Sequence, residues 1–345
     1  MQTPTPKTAP NLYSFIVPVY NRPEELTELL ESLVQQTRKG FEVVVVDDGS
    51  QQRSEAVCKK YEKLLEVQYF FIENSGQGFA RNFGFAKAKG DYFIVLDSDV
   101  IVPPVYLEKV HDFLSKDYVD AYGGPDAALP SFTEVQQAIN YSMTSFITTG
   151  GIRGKKQHLG AYHPRSFNMG VSREVWAKTG GYRITRLGED IEWSIRIIRS
   201  GFRTALIEEA FVYHKRRTDF HRFYKQLQFF GKARINIYHF YPDELKLVHF
   251  FPALFTVYLF TSLCFALSAT LLIDWRLGAL FLLPFLFFAG IIFVDATAKT
   301  NSLRIGALSV RAAFTQLIGY GTGFLQAAWR RIILRKDNNI SDYPS

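Results

Sequence analysis

Two long uncharged apolar runs constrain this chain most. Phe250 to Ile273 holds 24 residues without a charged side chain, and Leu277 to Val294 adds 18 more. A helix rises about 1.5 Å per residue, so roughly 20 apolar residues cover the hydrocarbon core of a bilayer. The first run exceeds that length and the second reaches the minimum. Two buried helices of a water-soluble core are disfavoured for runs this long. Asp274-Trp275-Arg276 separates them and fits a tight turn with an interfacial Trp. A third segment, Ala312 to Trp329, is apolar but carries Gln316, Gly319, Gly321 and Gly323. As a span it would carry Arg330, Arg331, Arg335 and Lys336 to the side opposite the rest of the chain, against the positive-inside tendency. It stays open as a span, a re-entrant segment or an interfacial helix.

The chain ahead of these runs reads differently. A length of 345 residues suits one large domain plus an appendage. Ser14 to Val19 is a short apolar run expected as a buried strand, and Pro23-Glu24-Glu25 opens a helix with Leu26, Leu29, Leu30, Leu33 and Val34 on one stripe. Phe41 to Val46 is a second strand. A helix around 51–65, a strand near 67–72, a loop entering a helix over 76–89 and a strand Tyr92 to Leu96 follow. This cadence predicts an α/β fold with a mostly parallel sheet, whose ligands gather beyond the carboxyl ends of the strands. Residues 121–215 are more irregular, with one good helix from Glu189-Asp190 to Gly201 that sets Ile191, Ile195 and Ile198 on one face.

The formal net charge is +7. Lys215-Arg216-Arg217 and Arg330-Arg331 flank apolar stretches, which favours an anionic membrane surface and excludes a basic nucleic-acid motif. Residues 216–246, aromatic and basic, read as an amphipathic interfacial segment, and 331–345 as a basic and polar tail. Cys58 and Cys264 offer neither a disulfide framework nor metal-ligand spacing, which fits a reducing compartment. Residues 1–13 lack an apolar core, so a flexible N-terminus without a secretory signal is expected.

Four polar clusters sit at the strand ends and at one helix start. Asp97 and Asp99 lie two apart on extended backbone, so both carboxylates can face one hard cation; a turn or a helix cap is the ordinary alternative. Asp47-Asp48-Gly49-Ser50 can place an acid on a base or ribose, or simply turn. Asn74 to Asn82 brings glycines and a guanidinium together, as a phosphate site needs. Glu189-Asp190 can cap its helix, or supply a carboxylate that takes a proton from a hydroxyl.

In this order the clusters resemble the inverting family 2 glycosyltransferases of GT-A fold. The resemblance rests on Phe15-Ile-Val-Pro-Val-Tyr-Asn-Arg22, Val43-Val-Val-Val-Asp-Asp-Gly-Ser50, Ser75-Gly-Gln-Gly-Phe-Ala-Arg-Asn82, Asp97-Ser-Asp99 and Glu189-Asp190, with Ser166-Phe-Asn-Met-Gly170 and Gly180-Gly181-Tyr182 between them. It implies a Rossmann-like catalytic domain over 14–215, divided into a nucleotide-sugar half at 14–125 and an acceptor half at 126–215. A membrane region at 247–330 would follow. The resemblance further implies that Pro18, Tyr20, Asn21, Arg22, Asp48, Gly76, Arg81 and Asp97 bind the donor, that Asp97 and Asp99 hold Mg²⁺ or Mn²⁺, and that Asp190 is the general base beside Glu189. His214 matches a position that in some relatives ligates the metal.

The expected activity is therefore a hexosyltransferase-type reaction moving one sugar from a UDP- or GDP-sugar, with inversion, to a lipid-linked or glycan acceptor. The expected setting is a multi-pass membrane protein with its catalytic domain on the cytoplasmic face. A processive polysaccharide synthase is the rival reading. Those enzymes carry Q-x-x-R-W after the Glu-Asp helix, where this chain has Tyr224-Lys-Gln-Leu-Gln-Phe-Phe-Gly231, and Gln326-Ala-Ala-Trp329-Arg330 has the wrong order. A non-catalytic nucleotide-sugar-binding membrane protein is the other, and it would have no use for a general base.

Overall fold

The computed structural model describes residues 8–129, 131–149 and 162–336. Residues 1–7 and 337–345, the outer parts of the expected flexible N-terminus and polar tail, lie outside them. The elements run in chain order as β1 (Tyr13–Val19), α1 (Pro23–Val34), β2 (Phe41–Asp48), α2 (Glu55–Tyr61), β3 (Glu66–Ile72), α3 (Gln77–Lys87), β4 (Tyr92–Leu96), β5 (Val100–Ile101), α4 (Tyr106–Lys116), β6 (Ala121–Gly123) and β7 (Asp126–Ala127). They continue as α5 (Glu134–Thr144), α6 (Phe146–Thr149), β8 (Asn168–Ser172), α7 (Arg173–Thr179), α8 (Glu189–Arg199), β9 (Thr204–Leu206) and β10 (Val212–His214). Four long helices follow: α9 (Phe220–Phe240), α10 (Phe251–Leu272), α11 (Trp275–Thr300) and α12 (Leu303–Ala328). Contacts divide the chain into two compact units, one of 8–129 with 162–215 and one of 131–149 with 216–336.

The first unit holds a seven-stranded sheet of order β3-β2-β1-β4-β8-β6-β9. β3, β2, β1 and β4 are parallel, whereas β8 is antiparallel to both its neighbours. Alternate residues feed opposite faces. Phe15, Val17, Val43, Val45 and Ile94 pack under Leu26, Leu29, Leu30 and Leu33 of α1 and Leu107 and Val110 of α4. Ile16, Val44, Val46, Phe93 and Val95 pack under Ala80 and Phe85 of α3 and Trp193 and Ile197 of α8. Such two-sided burial is what the near-continuous apolar runs of β1, β2 and β4 require. Because β1 to β4 share a direction and Val19 pairs with Asp47, the turns after them open on one edge. A small second sheet of order β5-β10-β7 sets His214 against Val100, the residue after Asp99.

On α8 the buried apolar residues are Trp193, Ile195 and Ile197. The expected stripe of Ile191, Ile195 and Ile198 is thus rotated, because Glu192 and Arg196 are buried as an ion pair on the same helix.

The second unit is helical. α5 packs Ala138, Ile139 and Met143 against Phe223 and Leu227 of α9 and Ile305 and Ala312 of α12. Its apolar stripe needs that helical partner, which puts a segment from the range 126–215 in this unit. α9 buries Phe223, Leu227, Ala233, Ile235 and Ile237 and exposes His221, Arg222 and Lys225. Along α12, Gly319 and Gly323 let the α9 backbone approach: a Cβ on Gly323 would lie 2.1 Å from the Gln228 carbonyl oxygen. Gly321 likewise seats Pro252 and Thr256 of α10. The third apolar segment is therefore a close-packed helix rich in small residues, carrying Arg304 and Arg311. Among the described residues two helical stretches, Leu247–Leu272 and Trp275–Thr300, are long and apolar enough to cross a membrane. Only 22% and 17% of their most apolar windows are buried, unlike helices of a soluble core.

Candidate active site

The site begins where β1 ends. Asn21 adopts a left-handed φ of +52°. Its N–H donates to Ser50 Oγ at 2.8 Å, and its Oδ1 accepts from the Gln52 N–H at 3.1 Å. The turn after β1 is thereby tied to the turn after β2. Pro18 is the second-last residue of β1, and the Tyr20 side chain beyond it is half exposed. Asp47, to which the sequence assigns no role, organises the second turn: it accepts from the N–H groups of Ser50 and Ser54 at 3.0 Å each and from the Tyr69 hydroxyl at 2.8 Å.

Asp48 is buried and clasps the next loop. It accepts from the N–H of Ser75 at 2.7 Å, the N–H of Gly76 at 2.9 Å and the Ser75 hydroxyl at 3.2 Å. Gly76 takes a φ of +89°, and a Cβ there would fall 1.9 Å from Thr185 Oγ1, so glycine is required both by conformation and by space. The loop is thus locked between β2 and the segment leading to α8. Asn82 completes the lock, with its amide bonded to both the N–H and the carbonyl of Tyr182.

Arg81 is the hub. Its guanidinium is buried, donating to Asp97 at 2.7 Å and to Glu189 at 3.2 Å. Gln77 donates to the same Glu189 oxygen. Leu187 and Gly188 carry φ values of +60° and +100°, and this turn delivers the start of α8 beside Arg81. Asp190 accepts from Arg165 Nε at 2.7 Å and from the Ile191 N–H at 2.8 Å. Burial and the neighbouring Asp190 push the Glu189 carboxyl up to about 7, in spite of Arg81. Burial would raise Asp190 too, but Arg165 outweighs it and holds that carboxyl below its usual range. Two adjacent acids are driven apart, one toward a neutral carboxylic acid and one toward a permanent carboxylate.

At the end of β4 the ligating atoms of Asp97, Asp99 and His214 lie within 4.8 Å of one another. Asp99 is buried, yet its Oδ1 meets no hydrogen-bond geometry and faces His214 Nε2 at 3.2 Å. A buried acceptor without a hydrogen bond, grouped with a second carboxylate and an imidazole stacked on Phe167, fits a divalent cation. Asp99 Oδ2 pairs with Arg22 at 2.6 Å. Although burial opposes it, the neighbouring His214 and the ion pair with Arg22 hold Asp99 well below the usual carboxylate range.

Residues 14–178 match the family model described as "Glycosyl transferase family 2". This segment belongs to glycosyl transferase family 2. Similar proteins include an uncharacterized glycosyltransferase of Rickettsia typhi, 37% identical over 105 residues covering 30% of this chain and 32% of that one. A glycosyltransferase of Streptococcus pneumoniae is 38% identical over 97 residues, 28% of this chain and 14% of that one. The chondroitin synthase of Escherichia coli is 26% identical over 235 residues, 59% of this chain and 34% of that one. The chain thus spans about a third or less of the length of these relatives. Its fold is also that of a mannosyltransferase from Pyrobaculum calidifontis, solved with GDP-Man and Mn²⁺ (TM-score 0.58, 16% identity, 95% of this chain and 89% of that one).

The glycosyltransferase motifs therefore meet at one edge of the sheet. Arg165 is the neighbour of the site that sequence reasoning missed, while Gln77 and Asp47 lay within quoted motifs without a role of their own. Arg165 stands 25 positions before Asp190 in an irregular stretch, and no spacing rule links the two.

Proposed function

We propose that this chain transfers one hexose from a UDP- or GDP-sugar to a lipid-linked acceptor at a membrane surface, with inversion. The observation that carries the reading is the Arg81 junction. One buried guanidinium holds both an acid of the strand-end pair, Asp97, and the acid beside the base, Glu189. Donor and acceptor chemistry are then a single rigid constellation, which is what orientation-based catalysis needs.

In this reading Asp97, Asp99 and His214 would hold Mg²⁺ or Mn²⁺, which supplies neutralisation of the charge on the departing diphosphate. Pro18, Tyr20, Asn21, Arg22, Asp48, Gly76 and Arg81 form the donor side, with Asp48 acting through the loop it clasps. Asp190, held as a carboxylate, takes the proton of the attacking hydroxyl. Glu189, its carboxyl raised to about 7, carries less negative charge beside it than an ordinary carboxylate would. Support for the donor and the cation comes from the family match and from the fold shared with an enzyme solved with GDP-Man and Mn²⁺. Support for the membrane comes from two exposed apolar helices and the basic residues flanking them, which also favour a cytoplasmic catalytic unit.

The test is a panel of nucleotide sugars offered with and without EDTA, reading released nucleoside diphosphate and the anomeric configuration of the product. Lipid-linked and water-soluble acceptors are compared side by side. Release that EDTA leaves untouched would remove the metal, a retained configuration would remove the single displacement, and equal turnover of both acceptors would remove the lipid preference.

A further inference from the structure

Among the described residues, Arg165 bonds the protein through one guanidinium nitrogen. Its Nε donates to Oδ2 of Asp190 at 2.7 Å, while Nη1 and Nη2 make no hydrogen bond among the described residues. The side chain is 35% exposed and that of Asp190 is 13% exposed. A guanidinium whose two outer nitrogens carry no hydrogen bond from the described residues matches two oxygens of one phosphate. The other cations of the site are already engaged at the strand ends, Arg22 with Asp99 and Arg81 with Asp97 and Glu189. Of the three, Arg165 is the one hydrogen-bonded to the proposed base.

We propose that Arg165 recognises a phosphate group of the acceptor, next to the hydroxyl that Asp190 deprotonates, so that phosphate-bearing acceptors are the preferred class. This rests on Asp190 being the base and specifies the lipid-linked acceptor of that reading. The groups facing Asp190 are Arg165, Arg81, Glu189 and Tyr182, with Tyr162 beside Arg165. When the phosphate draws the guanidinium to itself, Asp190 loses its nearest positive partner and becomes a stronger base as the hydroxyl arrives. The hydroxyl proton then passes to Asp190. The acceptor's hydroxyl oxygen bonds the anomeric carbon, and the bond from that carbon to the diphosphate breaks, its electron pair leaving with the nucleoside diphosphate.

The experiment uses the full chain in phosphatidylcholine nanodiscs, loaded with Mg²⁺ and UDP or GDP so that the donor-side cations are occupied. Inorganic phosphate is then titrated by calorimetry. Wild type binds it. Arg165→Gln weakens binding about tenfold or more, the loss expected for a charge-assisted pair. Asp190→Asn tightens it, because the competing carboxylate is gone. Unchanged nucleotide affinity in each variant confirms an intact fold. In nanodiscs that include phosphatidate, weaker apparent phosphate binding in wild type but not in Arg165→Gln supports a lipid-borne group, and an unchanged value supports a soluble one. Equal phosphate binding by wild type and Arg165→Gln, or none by nucleotide-loaded wild type, overturns the proposal. Failure to bind either nucleotide defeats the glycosyltransferase reading itself, a separate result visible before phosphate is added.

Discussion

Glu189 and Asp190 are neighbours in the chain and opposites in ionisation. Glu189 is buried, and its carboxyl is pushed up to about 7 from an ordinary value of 4.5. Folding therefore favours the protonated form. The stability this contributes is fully present below pH 4.5 and is lost as pH rises through about 7. Glu189→Gln keeps the shape and cannot ionise, so its thermal midpoint should lack the decline that wild type shows across that window. Parallel curves for the two proteins would mean that Glu189 is ionised in the fold. Asp190→Asn belongs to the same scale. It should slow transfer by roughly 10²–10⁴-fold, the usual contribution of a general base, with donor affinity retained in equilibrium binding. A variant that still turns over at the wild-type rate would leave Asp190 a helix-start acid and nothing more.

At the scale of elements, the decisive piece is α8, which carries both acids. It is fixed by Arg196, whose guanidinium meets both oxygens of Glu192 at 2.6 and 2.8 Å and also donates to the carbonyls of Thr179 and Gly181. Trp193 adds an indole N–H bond to Thr179 Oγ1 at 2.8 Å. The same loop is gripped from α3 by Asn82. Arg196→Met would take the guanidinium away from buried Glu192, a change that costs about 3–5 kcal/mol in comparable pairs. Urea denaturation of the variant should show its earliest transition moved to lower concentration, with Arg196→Lys in between. A transition that stays in place would mean that α8 is held by apolar packing alone.

For the whole molecule, the unresolved balance in the sequence lies between anchoring and core burial. Leu267 on α10 and Leu283 on α11 are 62% and 51% exposed, which in water would be a costly display of apolar surface. In lipid it is the expected one. With α10 in a bilayer, Leu267→Arg would place a charge in the hydrocarbon, at about 2.5–3.5 kcal/mol by insertion scales. The fraction of protein retained in membranes after an alkaline carbonate wash should drop, and drop further with Leu283→Arg added. Full retention of the double variant would argue that α10 and α11 do not face lipid.

Local chemistry made part of this protein readable in advance. Strands β1, β2 and β4 follow from short apolar runs ended by turn residues, α1 from Pro23 and its leucine stripe, and the two exposed helices from uncharged length. Those signals depend on neighbours a few residues apart, so the sequence alone determined them. The partner of α5, the close seat of α12 and the rotated face of α8 depend on which surfaces meet after folding. So does the Arg165–Asp190 pair, whereas the family resemblance had already set His214 with Asp97 and Asp99 as candidate metal ligands. These contacts join residues far apart in the chain, and a one-dimensional pattern carries no distance between them. Only the tertiary structure decided them, because burial and Coulomb interactions are set by position in space.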